Sequence, residues 1–217
     1  LAIGCQLGTE YRRSSHSAVD KAEAELFWSD PGPNAIPRTR PLIPPQPRKG
    51  QILLRVLATS VNPIDVKRAQ GYGQRLFRLI GAAGRELVLG NDFVGEVLPT
   101  GTNATAFKPG DLVFGTVPTG RRGGAHRSVL AVDAALARKL PVDTDPASAS
   151  VLPYTFCTLW QALKAVGLDA HSAVGKRVLI QGGSSALGQL ATQLLSQWGA
   201  QVTVVTSQRH AGLCLAL

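Results

Sequence analysis

The six residues Gly183-Ser184-Ser185-Ala186-Leu187-Gly188 carry the clearest chemical signal in the chain, because they follow the spacing G-x-G-x-x-G. In that pattern the glycines let a turn close tightly, let backbone approach phosphate oxygens, and let a helix pack against a strand. Here the middle glycine is replaced by Ser185. A Cβ at that point crowds the closest approach to a phosphate, while the hydroxyl is able to donate to a phosphate oxygen instead. The turn of a purely structural strand–helix–strand unit would use the same residues, so both readings stand at this point. About twenty residues on, where an acid would hold a ribose 2′-hydroxyl, the chain has Ser207, Gln208 and Arg209. A serine and an arginine suit a 2′-phosphate, which an aspartate would repel, so the expected dinucleotide is NADPH.

Arg177 to Thr206 supplies the frame for these residues. Val178 to Ile180 read as a strand buried on both faces. Leu187, Leu190, Ala191, Leu194, Leu195 and Trp198 then fall on one helical stripe, and Gly199 ends the helix. Val202, Val204 and Val205 give a second strand, joined to the first by a right-handed parallel crossover. A βαβ unit of this kind directs turn amides and the positive end of a helix to one place, which suits a pyrophosphate. Upstream, a helix is predicted from Tyr154 to Val166, with Leu159, Ala162, Leu163 and Val166 on one face and Gly167 at its end. An earlier helix begins at Asp145-Pro146 and is broken or kinked by Pro153.

The N-terminal part reads differently. Residues 1–22 have no periodicity and are expected to be a disordered tail. Glu25 to Ser29 form a first strand, and the seven prolines between Pro31 and Pro47 make a long extended connection. Gln51 to Ser60 are β-compatible. At Asn62-Pro63-Ile64-Asp65 a short helix starts, with Asn62 as N-cap and Asp65 in the first turn; capping is the plain reading of both. Leu87 to Leu98 form a strand interrupted at Gly90-Asn91-Asp92, after which Pro99 to Gly101 turn the chain. Phe107 to Asp111 turn it again into Leu112 to Gly115, and Ser128 to Val132 add another strand. Short strands punctuated by Gly and Pro indicate a compact β barrel. His126 has no ligand partner at a metal-binding spacing and reads as a solvent-exposed edge histidine.

Composition limits the alternatives. The 217 residues are 44% hydrophobic and 17% charged, a globular balance. No run of eighteen apolar residues exists, so no membrane-spanning helix is expected. Cys5, Cys157 and Cys214 are far apart, which argues against a disulfide framework or a zinc cluster. The net charge of +9 and pI near 10.0 admit nucleic acid as a partner. The basic residues are scattered in small groups such as Arg12-Arg13 and Arg121-Arg122, without aromatic interleaving, and favour a solvated basic surface instead. The high pI also fits the mitochondrial matrix. With Leu1 first and no methionine, the sequence reads as part of a longer chain.

Taken in order, Val61-Asn62-Pro63-Ile64-Asp65, Gly90-Asn91-Asp92-Phe93-Val94-Gly95, Phe107-Lys108-Pro109-Gly110-Asp111, Leu152-Pro153-Tyr154 and Gly175-Lys176-Arg177-Val178 resemble the medium-chain dehydrogenase/reductase superfamily. The resemblance is to its zinc-free quinone oxidoreductase branch, in a mitochondrial form, and spans residues 24–217. It implies an α/β protein: a GroES-like β-rich barrel domain at 23–145 and the opening βαβ of a Rossmann, doubly wound, NADP-binding domain at 146–217, truncated after its second strand. It further implies hydride transfer from NADPH to a small quinone or enone, with Asn62 beside the nicotinamide and cofactor contacts at Ser184, Ala186, Leu187 and Ser207. With the motif residues Ser185, Gly188 and Arg209, these make up the candidate site. Asn62, Asn91 and Asp92 stand where zinc relatives carry cysteine and a His-Glu pair, so no metal is expected. The family suggests a homodimer for its intact members, and mitochondrial localisation with the cytoplasm as alternative. A non-catalytic binding or scaffold relative is the competing function. As given, the chain is expected not to turn over.

Overall fold

A computed structural model describes residues 23–79, 86–99, 107–119 and 123–217. The tail, Cys5, the pairs Arg12-Arg13 and Arg121-Arg122, and Gly101 lie outside the described residues.

The first element of the described residues, β1 (Ala24–Ser29), pairs antiparallel with β2 (Pro37–Pro41). The proline-rich stretch is therefore not only a connection: its middle is a strand. Proline cannot donate to a ladder, and β2 tolerates Pro37 and Pro41 because it is the edge of its sheet. Arg40 on β2 ties this edge down, 2.7 Å from Glu25 and 2.6 Å from Glu86.

β3 (Gln51–Ala58) alternates as a half-buried strand should, with Ile52 and Leu54 inward. Two short helices follow, α1 (Pro63–Ala69) and α2 (Gln74–Leu79). Asn62 takes the extended N-cap conformation, and the Asp65 carboxylate accepts the Asn62 N–H at 2.8 Å, as expected for a first-turn acid. Then come β4 (Glu86–Leu87), β5 (Asp92–Val97), β6 (Leu112–Thr116), β7 (Val129–Asp133) and β8 (Ala137–Lys139). β4 completes the order β2-β1-β4, while the larger antiparallel sheet runs β7-β3-β5-β6-β8. Its core is built on Ile52, Leu54, Phe93, Val113, Leu130 and Val132. The two sheets are laced together where Leu26 N–H donates to His126 O and Ser128 N–H to Ala24 O.

Asp145 caps α3 (Pro146–Ala149), its carboxylate accepting the Ser148 N–H at 2.8 Å. α3 buries Ala149 against Val94 and Leu140 of the β-rich part, although it falls in the stretch assigned by sequence to the nucleotide unit. Pro153 does not break a helix; it occupies the first position of α4 (Pro153–Ala165), where the missing N–H costs nothing. Leu159 and Leu163 of α4 pack against Ala191 and Leu195 of α5 (Ala186–Gln197).

α5 joins the parallel strands β9 (Arg177–Gln181) and β10 (Gln201–Val205), giving the expected βαβ unit. β9 is not buried on both faces, however. Val178 and Ile180 pack under α5, while Leu179 on the opposite face is 68% exposed, because no element among the described residues covers that side. Leu187, predicted on the buried stripe, is exposed in the first turn of α5. A 3-10 turn at Gln208–His210 and α6 (Ala211–Leu215) follow β10.

Candidate functional site

The sequence pointed to Asn62, and the structure places it beside Asp92, the most fully enclosed carboxylate of the neighbourhood at 0% exposure. One Asp92 oxygen accepts Ser60 Oγ–H at 2.5 Å and Asn62 Nδ2–H at 2.8 Å. The other accepts the Tyr154 N–H at 2.6 Å. This last bond has a structural reason. Leu152, the N-cap of α4, offers no side-chain cap and Pro153 has no N–H, so a carboxylate from β5 meets the positive end of the helix instead. Burial raises the Asp92 pKa above the ordinary carboxylate value, against the lowering pull of the bonds from Ser60, Asn62 and Tyr154; the nearby Asp65 charge raises it further. Burial, and then the Asp92 charge, also raise the Cys157 thiol on the same helix.

Asp65 is 2% exposed and its second oxygen accepts the Gly90 N–H at 2.9 Å, so its capping role extends into holding the β4–β5 connection. Asn91 Nδ2 donates to Val117 O at 2.8 Å and to Thr119 Oγ1 at 3.0 Å. The carbonyl partner fixes the amide orientation, and Asn91 Oδ1 is left buried without a partner. His126 is not the exposed edge residue expected: it is 8% exposed, stacks at a tilt on Trp28, and its Nε2 lies 2.9 Å from Ser60 O. A carbonyl only accepts, so the proton is on Nε2.

The second cluster forms at the loop between β9 and α5. A Cβ at Gly183 would meet Val204 Cγ1 at 1.9 Å, and one at Gly188 would meet Gly182 O at 2.4 Å, so both positions require glycine for close strand–helix approach. Ser185 differs from its expected role. Its Oγ–H donates to Gly182 O at 2.8 Å and the same oxygen accepts the Gly188 N–H at 3.0 Å. The hydroxyl is committed to capping α5 and offers no proton to a phosphate. The first-turn amides of Ala186 and Leu187 have no intrahelical acceptor, by helix geometry. Gly182 and Gly183 N–H both donate to Val205 O, which sets the loop beside the exit of β10, where Ser207 and Arg209 lie exposed.

Ser184 to Gly188, Ser207 and Arg209 are thus gathered at one rim. Asn62 is not part of it. Among the described residues no hydrogen bond or ion pair joins Asn62 to this loop; α4 connects the two regions, anchored on Asp92 at its start and packed on α5 along its length. Ser60, Tyr154 and Thr119 were not foreseen from the sequence. The one available signal was an acid at position 92 followed by the apolar Phe93-Val94, since a buried carboxylate demands partners.

The Alcohol dehydrogenase GroES-like domain family matches residues 48–142. Over 216 residues the chain is 32% identical to the mitochondrial NAD(P)H oxidoreductase RTN4IP1 of Danio rerio, covering 94% of this chain and 56% of that protein. The chain belongs to the medium-chain dehydrogenase/reductase superfamily. Among solved structures, an alcohol dehydrogenase superfamily protein from Novosphingobium aromaticivorans superposes with a TM-score of 0.78 at 30% identity, covering 90% of this chain and 56% of that one. The quinone oxidoreductase from Coxiella burnetii gives 0.76 at 27% identity, covering 89% and 60%. The chain spans about half the length of the curated relatives it matches. The GroES-like match, residues 48–142, takes in β3 to β8, while β9-α5-β10 lies beyond it as a parallel βαβ unit.

Proposed function

We propose that this superfamily member carries the NADPH-holding rim and substrate-side wall of a zinc-independent oxidoreductase that reduces a small quinone or enone. We divide it into a GroES-like substrate domain at 23–145 and a nucleotide domain at 146–217, whose first helix, α3, packs on the former. The observation that carries the reading is the rim at β9, α5 and β10: a glycine cradle without intruding side chains, two first-turn amides, and Ser207 with Arg209 on the adjoining strand exit. From Ala170 to Leu217 the chain contains no Asp or Glu at all. A ribose 2′-hydroxyl would find no carboxylate there, and a 2′-phosphate meets no repulsion from one.

In this reading Ala186 and Leu187 N–H bind the pyrophosphate, with Ser184 beside them, and Ser207 and Arg209 bind the 2′-phosphate. NADPH, when bound, supplies the hydride. Asn62, with its amide nitrogen spent on Asp92 and Ser60, is a rigid positioning residue beside the nicotinamide rather than a proton donor. The same geometry suits zinc poorly: an amide N–H that is donating has no lone pair for a metal, and both Asp92 oxygens are already engaged. Among the described residues no group of three or more His, Cys, Asp or Glu converges as a metal site. By its likeness to RTN4IP1 we assign the protein to mitochondria, with small molecules rather than nucleic acid as partners and a homodimer as its assembly. No helix among the described residues is long and apolar enough to cross a membrane.

A second reading, a binding or scaffold relative without catalysis, rests on Ser185, which withdraws the Gly188 N–H from any phosphate. Cofactor-fluorescence titration tests both. The chain is expected to bind NADPH more tightly than NADH, and Ser185→Gly to tighten NADPH binding about fivefold by freeing the Gly188 N–H, an effect of about 1 kcal/mol. Glycine is itself an acceptable N-cap, so the stability cost is only a few tenths of a kcal/mol. Tighter binding of NADH than NADPH would overturn the cofactor assignment.

A further inference from the structure

We propose that His210 sets the preference for a 2′-phosphate by controlling which way the Ser207 hydroxyl donates. The inference rests on the NADPH reading above and assigns to that site a residue its motif does not include. Ser207 Oγ and His210 Nδ1 lie 3.2 Å apart on the turn that follows β10. Two arrangements satisfy this contact. When Nδ1 is a lone pair, Ser207 gives its only proton to the ring and shows outward lone pairs, which a phosphate repels. When Nδ1 carries a proton, the ring donates to Oγ, and the Ser207 proton is released to point outward at an anion.

A 2′-phosphate selects the second arrangement, whereas the 2′-hydroxyl of NADH accepts or donates and is served by either. Protonating the ring enforces the second arrangement and adds a positive charge beside the phosphate, and histidine is the side chain suited to doing so near neutral pH. The charged and titratable groups around His210 are few. Arg209 lies on the same turn; α6, packed on that turn, contributes Cys214; β10 and the Gly182–Ser185 loop contribute none. With no Asp or Glu side chain from Ala170 onward, the anion that selects the arrangement in which Nδ1 donates to Ser207 is, in the NADPH reading, the ligand itself. Cys214 also rests against the loop, its Sγ 3.4 Å from where a Gly183 Cβ would stand, so the turn carrying His210 is folded onto the phosphate cradle.

The test is fluorescence titration of the 217-residue chain with NADPH and with NADH from pH 6 to pH 8.5, for the wild type, His210→Phe, His210→Gln and Ser207→Ala. The wild-type preference for NADPH is expected to be about fivefold greater at the acid end, the difference between a charged and a neutral hydrogen-bond donor. Protonation of the phosphate itself, with a second ionisation near pH 6, acts on all four proteins alike and cancels in the comparison. Both His210 variants are expected to lose the extra acid-side preference, as is Ser207→Ala. A structural role for His210 would shift all affinities together and leave the pH profile intact, which would overturn the proposal. Saturable NADPH binding with the same profile in wild type and variants would overturn it while leaving the NADPH reading standing. Absence of NADPH binding by the wild type at every pH would overturn both.

Discussion

Asp92→Ala is expected to lower the unfolding free energy by about 3 kcal/mol, because it removes the acceptor of one buried donor, Asn62 Nδ2, and of two half-buried ones, Ser60 Oγ and the Tyr154 N–H, each costing about 1–3 kcal/mol when buried and unpaired and less where water reaches it. The serine hydroxyl can re-aim, but one Asn62 N–H and the Tyr154 N–H cannot, and the start of α4 loses the carboxylate that caps it. Asp92→Asn keeps the volume and one acceptor, yet turns an N–H₂ toward either Asn62 Nδ2 or the Tyr154 N–H, so it is expected to cost about 2 kcal/mol. Urea unfolding followed by fluorescence and by circular dichroism measures both. A loss below 1 kcal/mol for Asp92→Ala would show that the carboxylate does not join α4 to the β-rich sheet.

The pH dependence separates the Asp92 charge from its hydrogen bonds. Its folded pKa is raised, chiefly by burial, above the ordinary value of about 3.9. Between those two values the native state still holds a proton that the unfolded chain has released. The stabilising contribution is therefore complete below about pH 3.9 and is lost as pH rises through the folded pKa. Asp111, Asp145 and Asp169 run the other way: backbone N–H bonds from Lys108, Ser148 and Ser172 lower their values, so their contribution is present above the ordinary carboxylate range and lost as pH falls. The difference between wild type and Asp92→Asn isolates the Asp92 slope. It is expected to show the wild type losing stability relative to the variant as pH rises. A flat difference would mean that the hydrogen bonds fully offset burial.

The βαβ unit was legible because its periods change abruptly, from short apolar runs to a helical stripe closed by Gly199, and because both patterns are local. β2 was not, since Pro37 and Pro41 argue against a strand unless it is known to lie at an edge, and edges are decided by tertiary order. His126 was misread for a related reason: its burial depends on Trp28 and on the carbonyl of Ser60, residues 98 and 66 positions away. The Asp92 cluster draws partners 32, 30 and 62 positions away, a separation at which spacing rules are silent. Ser185 shows the converse limit. Its place in a phosphate motif was plain from the sequence, but the motif spacing does not show that its oxygen caps its own helix, accepting the Gly188 N–H at 3.0 Å while its proton goes to Gly182 O at 2.8 Å.

The 217-residue chain by itself is expected to show no saturable NADPH oxidation with a benzoquinone or phenanthrenequinone acceptor. A parallel sheet is stable when both faces are covered, and among the described residues β9 and β10 have α5 on one face only. On the other, Leu179 is 68% exposed and Val205 is 48% exposed. Both strands are also edges of a two-stranded sheet, with unpaired backbone groups open to other chains. In the function proposed above, the rim at Ser184 to Leu187 and Ser207 holds the phosphates without the rest of the site, so binding and turnover are expected to come apart. Turnover requires the nicotinamide to be fixed against Asn62 to within a fraction of an ångström, and misplacement by about 1 Å costs about 100-fold in rate. α4 links the Asn62 cluster to the rim, anchored on Asp92 at its start and packed on α5 along its length. The same exposed face predicts self-association at rising concentration, so light scattering is expected to grow where catalysis does not. Steady-state NADPH oxidation by the purified chain decides the matter, and saturable turnover at the rate of an intact quinone oxidoreductase would show that α4 alone positions the two halves well enough for hydride transfer.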